Sequence, residues 1–160
     1  MRKVIVNSTP LIALSKADRL DLLRDMYREI YVPNAVFEEV SAKNDVVKSK
    51  VERSDWIHVE RVQNNSDRRM YRVKLHDGEV EVMMLARECG EDHLVVIDDE
   101  QARKTAEYLG LNLTGTLGVL IKAKRSGLID SVMSAVRDME AHGIYFSVSL
   151  KERVKRLSGE

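Results

Sequence analysis

The chain has 160 residues, a length that suits one domain with an ordinary core, since 44% of its residues are hydrophobic. Its 26 basic and 26 acidic side chains balance, which excludes a strongly basic nucleic-acid-binding coat but allows a local basic rim around an acidic centre. A single cysteine excludes an internal disulfide, and we find neither an apolar run of transmembrane length nor a signal peptide, so we expect a cytoplasmic protein without membrane contact.

The first half of the chain alternates short apolar runs with helical patterns. The run Lys3–Val6 predicts a strand, and Pro10, preceded by amide and hydroxyl side chains, predicts that a helix begins directly after it. The next predicted elements are a helix capped by Asp18, a strand over Glu29–Val32, a helix from Pro33 to Ala42, a short helix over Val46–Arg53 and a strand over Trp56–Val59. A loop is predicted at Gln63–Asp67, and no element is predicted from there to Lys74. Five basic residues lie between Arg61 and Lys74, a run that fits either a solvated segment or a contact with RNA.

The second half continues the alternation of strands and helices. Its predicted elements are a helix over Gly78–Cys89, a strand over Leu94–Ile97, a helix over Asp99–Leu109, a strand over Leu111–Leu113 and helices over Thr116–Ser126, Asp130–Ala141 and Leu150–Leu157. This order predicts an α/β fold, a three-layer α/β/α sandwich with a mostly parallel central sheet, in a single domain over residues 1–160. Functional residues of such sheets lie beyond the carboxyl ends of the strands, where we expect Asn7, Asp98 and Asp99.

One acidic residue of the helix that follows Pro33 faces an unexpected direction. At about 100° per residue, Glu39 falls within the apolar arc of Val36 and Val40, whereas Glu38 points into solvent. A carboxylate on a core-facing stripe is costly unless a partner compensates its charge. Glu39 is therefore either a paired structural acid or part of a functional site.

The helix after Gly78 shows the same pattern in its first turn. Glu79 lies within the apolar stripe that contains Val82 and Met83, whereas Glu81 is expected on the polar side of the helix. An acid in this position can interact with the helix dipole, pair with an arginine or belong to a site. The pattern leaves these alternatives open.

Two adjacent aspartates follow the fourth predicted strand. Asp98 is expected to cap the next helix, with Gln101 completing a capping box, which leaves Asp99 available as a ligand. Clustered carboxylates repel one another and persist chiefly when a hard cation such as Mg²⁺ or Mn²⁺ neutralises them. Glu39, Glu79 and Asp99 would form such a cluster if they meet in space, which their spacing in the sequence does not establish.

Several short motifs occur in a characteristic order along the chain. They are Val4–Leu14, Val32–Val40, Asp77–Glu81, Val96–Asp99 with Ala102-Arg103, and Leu109–Leu111 leading to Thr114–Leu120. Together they resemble the PIN-domain family, in particular short prokaryotic PIN proteins related to VapC-type toxins, over about Lys3 to Leu157. The resemblance implies a PIN or 5′-nuclease-like fold and a metal-dependent endoribonuclease that is the toxin of a toxin–antitoxin pair. It also implies RNA as the substrate, a small antitoxin protein as a partner, and a homodimer.

The family's four acidic positions match Asn7, Glu39, Glu79 and Asp99, which the resemblance implies as catalytic residues and ligands of Mg²⁺ or Mn²⁺. Asn7 departs from the family pattern because an amide replaces the first carboxylate. Its carbonyl can still ligate Mg²⁺ but brings no charge. The departure leaves an alternative open: a catalytically weakened PIN-fold module that binds RNA or a protein.

Four further residues are candidates for nucleic-acid binding: Ser8, Thr9, Arg103 and Thr116. Ser8 or Thr9 matches the hydroxyl that the family carries beside its first acid. Arg103 either faces a substrate phosphate or balances the acidic residues. The Thr-Gly-Thr turn that ends at Thr116 fits a phosphate cradle at a helix start, or a tight turn in which Thr116 caps the helix.

Overall fold

The structure, a computed structural model, describes residues 2–160. The strands of this part of the chain are β1 (Lys3–Val6), β2 (Ile30–Pro33), β3 (Ile57–Glu60), β4 (His93–Val96) and β5 (Leu113–Thr114). The helices are α1 (Ser8–Lys16), α2 (Asp21–Tyr27), α3 (Asn34–Lys43), α4 (Asp45–Arg53), α5 (Arg68–Arg72), α6 (Asp77–Glu88), α7 (Glu100–Tyr108), α8 (Thr116–Arg125), α9 (Val132–Ala141) and α10 (Val148–Leu157). No helix in residues 2–160 is long and apolar enough to cross a membrane.

The five strands form one parallel sheet in the order β3-β2-β1-β4-β5, flanked by helices as the predicted sandwich requires. At its centre β1 pairs with β4 in a register that sets Val4 opposite Leu94 and Val6 opposite Val96. These strands are continuous apolar runs because helices cover both faces of a parallel sheet. The α/β fold class predicted from the sequence is confirmed.

Helix α6 is the element that joins the sheet to the helical layer near the site. It packs against β1, β2 and β4 and also against α3 and α5. Its residues from Gly78 to Ala86 are all buried, including two glutamates. Because α6 begins close to the carboxyl end of the sheet, its first turn carries acidic side chains to that edge.

Two local predictions were wrong and one helix was not predicted. Asp18 does not cap α2, which begins at Asp21; it adopts a left-handed backbone conformation with φ of 55°, which the short polar side chain of aspartate tolerates. The loop predicted at Gln63–Asp67 is present, but helix α5 directly after it was not predicted. The last strand lies at Leu113–Thr114 because only these residues pair with Val95 and Val96 of β4.

Candidate metal centre

The candidate centre lies at the point where the strand order changes direction, between the carboxyl ends of β1 and β4. The chain leaves β1 to one side and β4 to the other, so a crevice opens between the following segments. The backbone N–H of Asn7 donates to the Val96 carbonyl at 3.0 Å, which extends the ladder between these strands by one residue. Asn7 and the pair Asp98-Asp99 are therefore held side by side at this edge.

Asn7 is buried and its side-chain oxygen lacks a partner. The residue is 3% exposed and stands at the N-cap of α1, but it makes no side-chain cap bond. Within residues 2–160, Asn7 Oδ1 is one of few buried side-chain oxygens without a hydrogen bond. A buried acceptor that stays unpaired costs roughly 1–3 kcal/mol. A cation or a water molecule at this point would satisfy it.

Glu79 is the most deeply buried acid of the predicted set, at 9% exposure in the first turn of α6. Burial raises the pKa of its carboxyl, and the negative charge of Asp99 raises it further. His76 lowers this pKa through its charge and a backbone hydrogen bond, whereas Glu39 adds a weaker upward effect. The charges of Asp99 and Glu39 therefore each act on the Glu79 carboxyl.

Glu39 projects from α3 toward the start of α6. Its side chain is 31% exposed and Oε1 accepts from Lys43 Nζ at 2.9 Å. Its other oxygen lies where a side chain on Gly78 would be, since a Cβ built on Gly78 would come within 2.9 Å of Glu39 Oε2. Gly78 leaves room for this oxygen, so the Glu39 carboxylate rests against the backbone at the start of α6.

Asp99 takes the capping role that was predicted for Asp98. Asp99, not Asp98, caps α7, because its Oδ2 accepts from the backbone N–H of Ala102 at 2.9 Å. Asp98 instead accepts from Thr116, at 2.8 Å from the backbone N–H and 2.6 Å from the hydroxyl. Asp99 remains exposed, so a carboxylate that caps a helix can still face a ligand.

Glu81 was placed on the polar side of α6 by its helical spacing, and that prediction was wrong. It is 8% exposed, and its Oε1 accepts from the backbone N–H of Ala35 at 2.8 Å. Its Oε2 accepts from Arg68 Nη2 at 2.8 Å. The sequence carries one signal for this role, the basic run that contains Arg68, but the contact joins segments far apart in the chain.

The predicted nucleic-acid-binding residues are dispersed around this edge. Ser8 is buried, whereas Thr9 is exposed and lines a cavity beside the site. Thr116 is 1% exposed and is the first residue of α8 rather than its cap, which is Gly115. Arg103 Nη1 donates to the carbonyl of Ile97 at 3.0 Å, so its guanidinium is fixed at the end of β4.

Comparison with known proteins decides the family. The family model described as a PIN domain matches residues 3–160, almost the whole chain. The chain belongs to the PIN-domain family. The family predicted from the motifs is thus confirmed, and with it a nuclease-type fold. A search of curated proteins finds no match to this PIN domain.

The donor set of this PIN domain fits a hard divalent cation by its chemistry. Three carboxylates and one unpartnered amide oxygen supply only oxygen ligands, which Mg²⁺ and Mn²⁺ prefer. No group of three or more His, Cys, Asp or Glu side chains in the described residues is gathered to hold an ion by itself. Mg²⁺ keeps several waters and commonly takes only one or two carboxylates directly, so an ion at this edge would be held by few protein oxygens.

Proposed function

We propose that this PIN domain is an endoribonuclease that uses Mg²⁺ or Mn²⁺ to cut RNA. One observation carries the proposal: the negative charges of Asp99 and Glu39 both act on the buried carboxylate of Glu79, and Asn7, which follows β1, has a buried side-chain oxygen without a partner. Like charges held together at a sheet edge are costly, and a bound cation offsets that cost. The PIN-domain match supports a nuclease-type activity for the same edge.

In this proposal Glu39, Glu79 and Asp99 hold the cation directly or through water, and Asn7 is a neutral fourth ligand. When bound, the cation would neutralise charge on the phosphodiester and lower the pKa of a water molecule that attacks it. Lys43 holds the Glu39 carboxylate in place, and the hydrogen bond from Ala102 orients Asp99. No side-chain nucleophile is needed.

A direct test measures Mn²⁺ binding by calorimetry and cleavage of a single-stranded RNA by the same preparations. We expect Glu39→Gln and Glu79→Gln to weaken Mn²⁺ binding and to abolish cleavage, while the circular dichroism spectrum stays native. Glu38→Gln is the matched control, because Glu38 adjoins Glu39 on α3 but is exposed. Full cleavage by Glu39→Gln would remove Glu39 from the mechanism.

A second candidate function is a binding module with weakened catalysis. Two observations favour it: the first ligand position holds a neutral amide, and the Glu39 carboxylate is already paired with Lys43. The variant Asn7→Asp separates the two functions. Cleavage by the wild type supports the enzyme, whereas a silent wild type that gains Mn²⁺ binding and cleavage on Asn7→Asp supports the binding role.

We also propose that the protein is the toxin of a toxin–antitoxin pair, held by a small antitoxin and acting as a homodimer. The support is the resemblance to VapC-type toxins. Induced expression of the wild type should arrest growth of a bacterial host, and Glu79→Gln should relieve the arrest at equal protein level. Light scattering of the purified protein tests the dimer, and equal growth with both proteins would contradict the toxin role.

A further inference from the structure

A second cavity, of about 550 Å³, opens directly beside the candidate metal centre, on the side of α8 and α10. It shares Thr9, Asp98 and Arg103 with the edge already described. Its apolar wall consists of Leu113, Leu117, Ile121, Ile144, Phe146 and Leu157. The cavity is therefore an extension of the centre rather than a separate part of the surface.

Two arginines stand at this cavity, Arg103 from α7 and Arg153 from α10. Among the residues that the structure describes, neither forms an ion pair with a carboxylate. Asp98 also lines this cavity; its oxygens accept from Thr116, and its Oδ1 borders the same Gly115 position as Arg103 Nη1. The lining thus carries two guanidinium groups against one carboxylate, which is an excess of positive charge in a chain of zero net charge.

The position of Arg103 is enforced by the backbone around it. A Cβ on Gly115 would come within 2.8 Å of Arg103 Nη1 and 2.7 Å of Asp98 Oδ1. The absence of a side chain there lets the guanidinium reach the Ile97 carbonyl and still border the cavity. Arg103 is thus held in place, whereas Arg153 is an exposed residue on the opposite wall.

An apolar wall, an aromatic ring and two arginines beside an acidic centre suit one chemical class of ligand, a nucleotide. The base of an unpaired nucleotide is flat and apolar on its faces, and it packs against aromatic side chains such as Phe146. The phosphate of the same nucleotide pairs with arginine. A purely apolar peptide segment would leave both guanidinium groups without partners.

We propose that this cavity is a nucleotide subsite, which holds one unpaired nucleotide of the RNA next to the phosphodiester that the centre cuts. The base lies against Phe146 and the aliphatic wall, and its phosphate contacts Arg103 and Arg153. The inference rests on the proposed ribonuclease function for its substrate. Beyond that function, it assigns Arg153 and Phe146 to RNA binding.

The test measures binding without cleavage, by fluorescence anisotropy of a labelled single-stranded RNA pool in the presence of EDTA. We expect Arg153→Ala to raise the Kd about tenfold at low salt. The slope of log Kd against log salt concentration should fall by the amount expected for roughly one phosphate contact. Arg156→Ala is the matched control, since it removes the same charge from the same helix at a residue outside the cavity lining. We expect the control to change the Kd less than twofold.

The base contact is tested with a strand of the same length that keeps its phosphates but lacks its bases. The wild type should bind the strand with bases more tightly, and Phe146→Leu should lose most of that preference while keeping a native circular dichroism spectrum. Equal effects of Arg153→Ala and Arg156→Ala would overturn the subsite. So would unchanged RNA binding by Arg153→Ala together with lost binding of a protein partner, which would assign the cavity to a protein.

These outcomes separate the subsite from the proposed function. RNA binding that depends on Arg153 in a protein that never cleaves would retain the subsite and refute the nuclease. Cleavage that depends on Glu79 but is unaffected by Arg153→Ala or Phe146→Leu would retain the nuclease and refute the subsite.

Discussion

Glu81 accepts a hydrogen bond from the backbone N–H of Ala35 at 2.8 Å, and so ties α6 to the first turn of α3. Helix α6 also carries Glu79, and α3 also carries Glu39. The same carboxylate holds Arg68 of α5 with its second oxygen. One buried acid therefore fixes the spacing between two helices of the candidate metal centre.

Removal of this carboxylate should destabilise the fold. Glu81→Ala leaves the Ala35 N–H and the Arg68 guanidinium without their partner, so we expect the free energy of unfolding to fall by roughly 1–3 kcal/mol. Glu81→Gln should cost less, because the amide oxygen still accepts from Ala35. Urea denaturation measures both values, with Glu107→Ala on the exposed face of α7 as the control. A Glu81→Ala protein as stable as the control variant would show that the contact is not formed.

The close approach of Gly78 and Glu39 predicts coupling between these positions. A Cβ on Gly78 meets Glu39 Oε2, so Gly78→Ala should be tolerated better when Glu39 is first shortened to alanine. We expect the two changes in unfolding free energy to deviate from additivity by at least about 0.5 kcal/mol.

The matched cycle uses Gly78→Ala with Glu38→Ala, because Glu38 is exposed and is not among the nearest neighbours of a Cβ on Gly78. For that pair, the two changes in unfolding free energy should be additive to within about 0.3–0.5 kcal/mol. Strict additivity in both cycles would mean that the Glu39 carboxylate does not rest against Gly78.

Glu79 should reduce stability at neutral pH when no cation is bound. Its pKa is raised above the ordinary value of 4.5 by burial and by Asp99, so the folded protein binds this proton more tightly than the unfolded chain. Wild-type stability therefore falls as pH rises from the ordinary carboxyl pKa through the raised one. Glu79→Gln removes this loss. In EDTA, the free energy of unfolding of the variant should therefore exceed that of the wild type by more at pH 7 than at pH 4.

The measurement is urea unfolding of wild type and Glu79→Gln at both pH values, with Glu107→Gln as an exposed control. An equal difference between wild type and Glu79→Gln at pH 4 and pH 7 would contradict the raised pKa. Added Mn²⁺ should stabilise the wild type more than Glu79→Gln if the carboxylate is a ligand.

Glu160 should have the opposite pH dependence. Hydrogen bonds from the Ser131 hydroxyl, Lys124 and the backbone N–H groups of Val132 and Met133 lower the pKa of its carboxyl to about 2. The ionised form therefore stabilises the fold above the ordinary pKa of 4.5, and this stabilisation is lost as pH falls from 4.5 toward 2. Because the carboxylate satisfies the first turn of α9, we expect Glu160→Ala to cost about 1 kcal/mol at pH 7.

Thermal unfolding at pH 7 and pH 3 tests this expectation. The loss of stability caused by Glu160→Ala should be smaller at pH 3, where the wild type has already lost part of the stabilisation by its Glu160 carboxylate. Glu152→Ala, an exposed residue on α10, serves as the control and should show a similar small change at both pH values. A deficit that does not depend on pH would refute the lowered pKa.

Local patterns predicted the sheet well, because the strands are short runs of apolar residues, and such runs predict burial by their residue types alone. The runs Val4–Val6 and Leu94–Val96 illustrate this, since both are buried on both faces. Asn7 and Glu79 were likewise found from local signals, the end of a strand and an acid on an apolar stripe. The parallel topology, which the alternation of strands and helices implies, brings Asn7 to the edge where Asp98 and Asp99 follow β4.

The predictions for individual side chains failed where a role depends on contacts between segments that are distant in the chain. Either of two adjacent aspartates could cap α7, and the choice depends on Thr116, which engages Asp98 from the start of another helix. Helical spacing assigned Glu81 to solvent, but α3 and α5 cover that side of α6. Such long-range pairings leave no mark in the local pattern around each residue.

Strand β1 pairs with β4, which is synthesised much later during translation. Lys3 meets His93, about 90 positions later in the chain, while the other neighbour of β1 is β2. During translation Asn7 therefore emerges long before Asp99 exists to stand beside it. A nascent or truncated chain that ends before β4 lacks this neighbour, so the acidic cluster cannot form until most of the protein has been made.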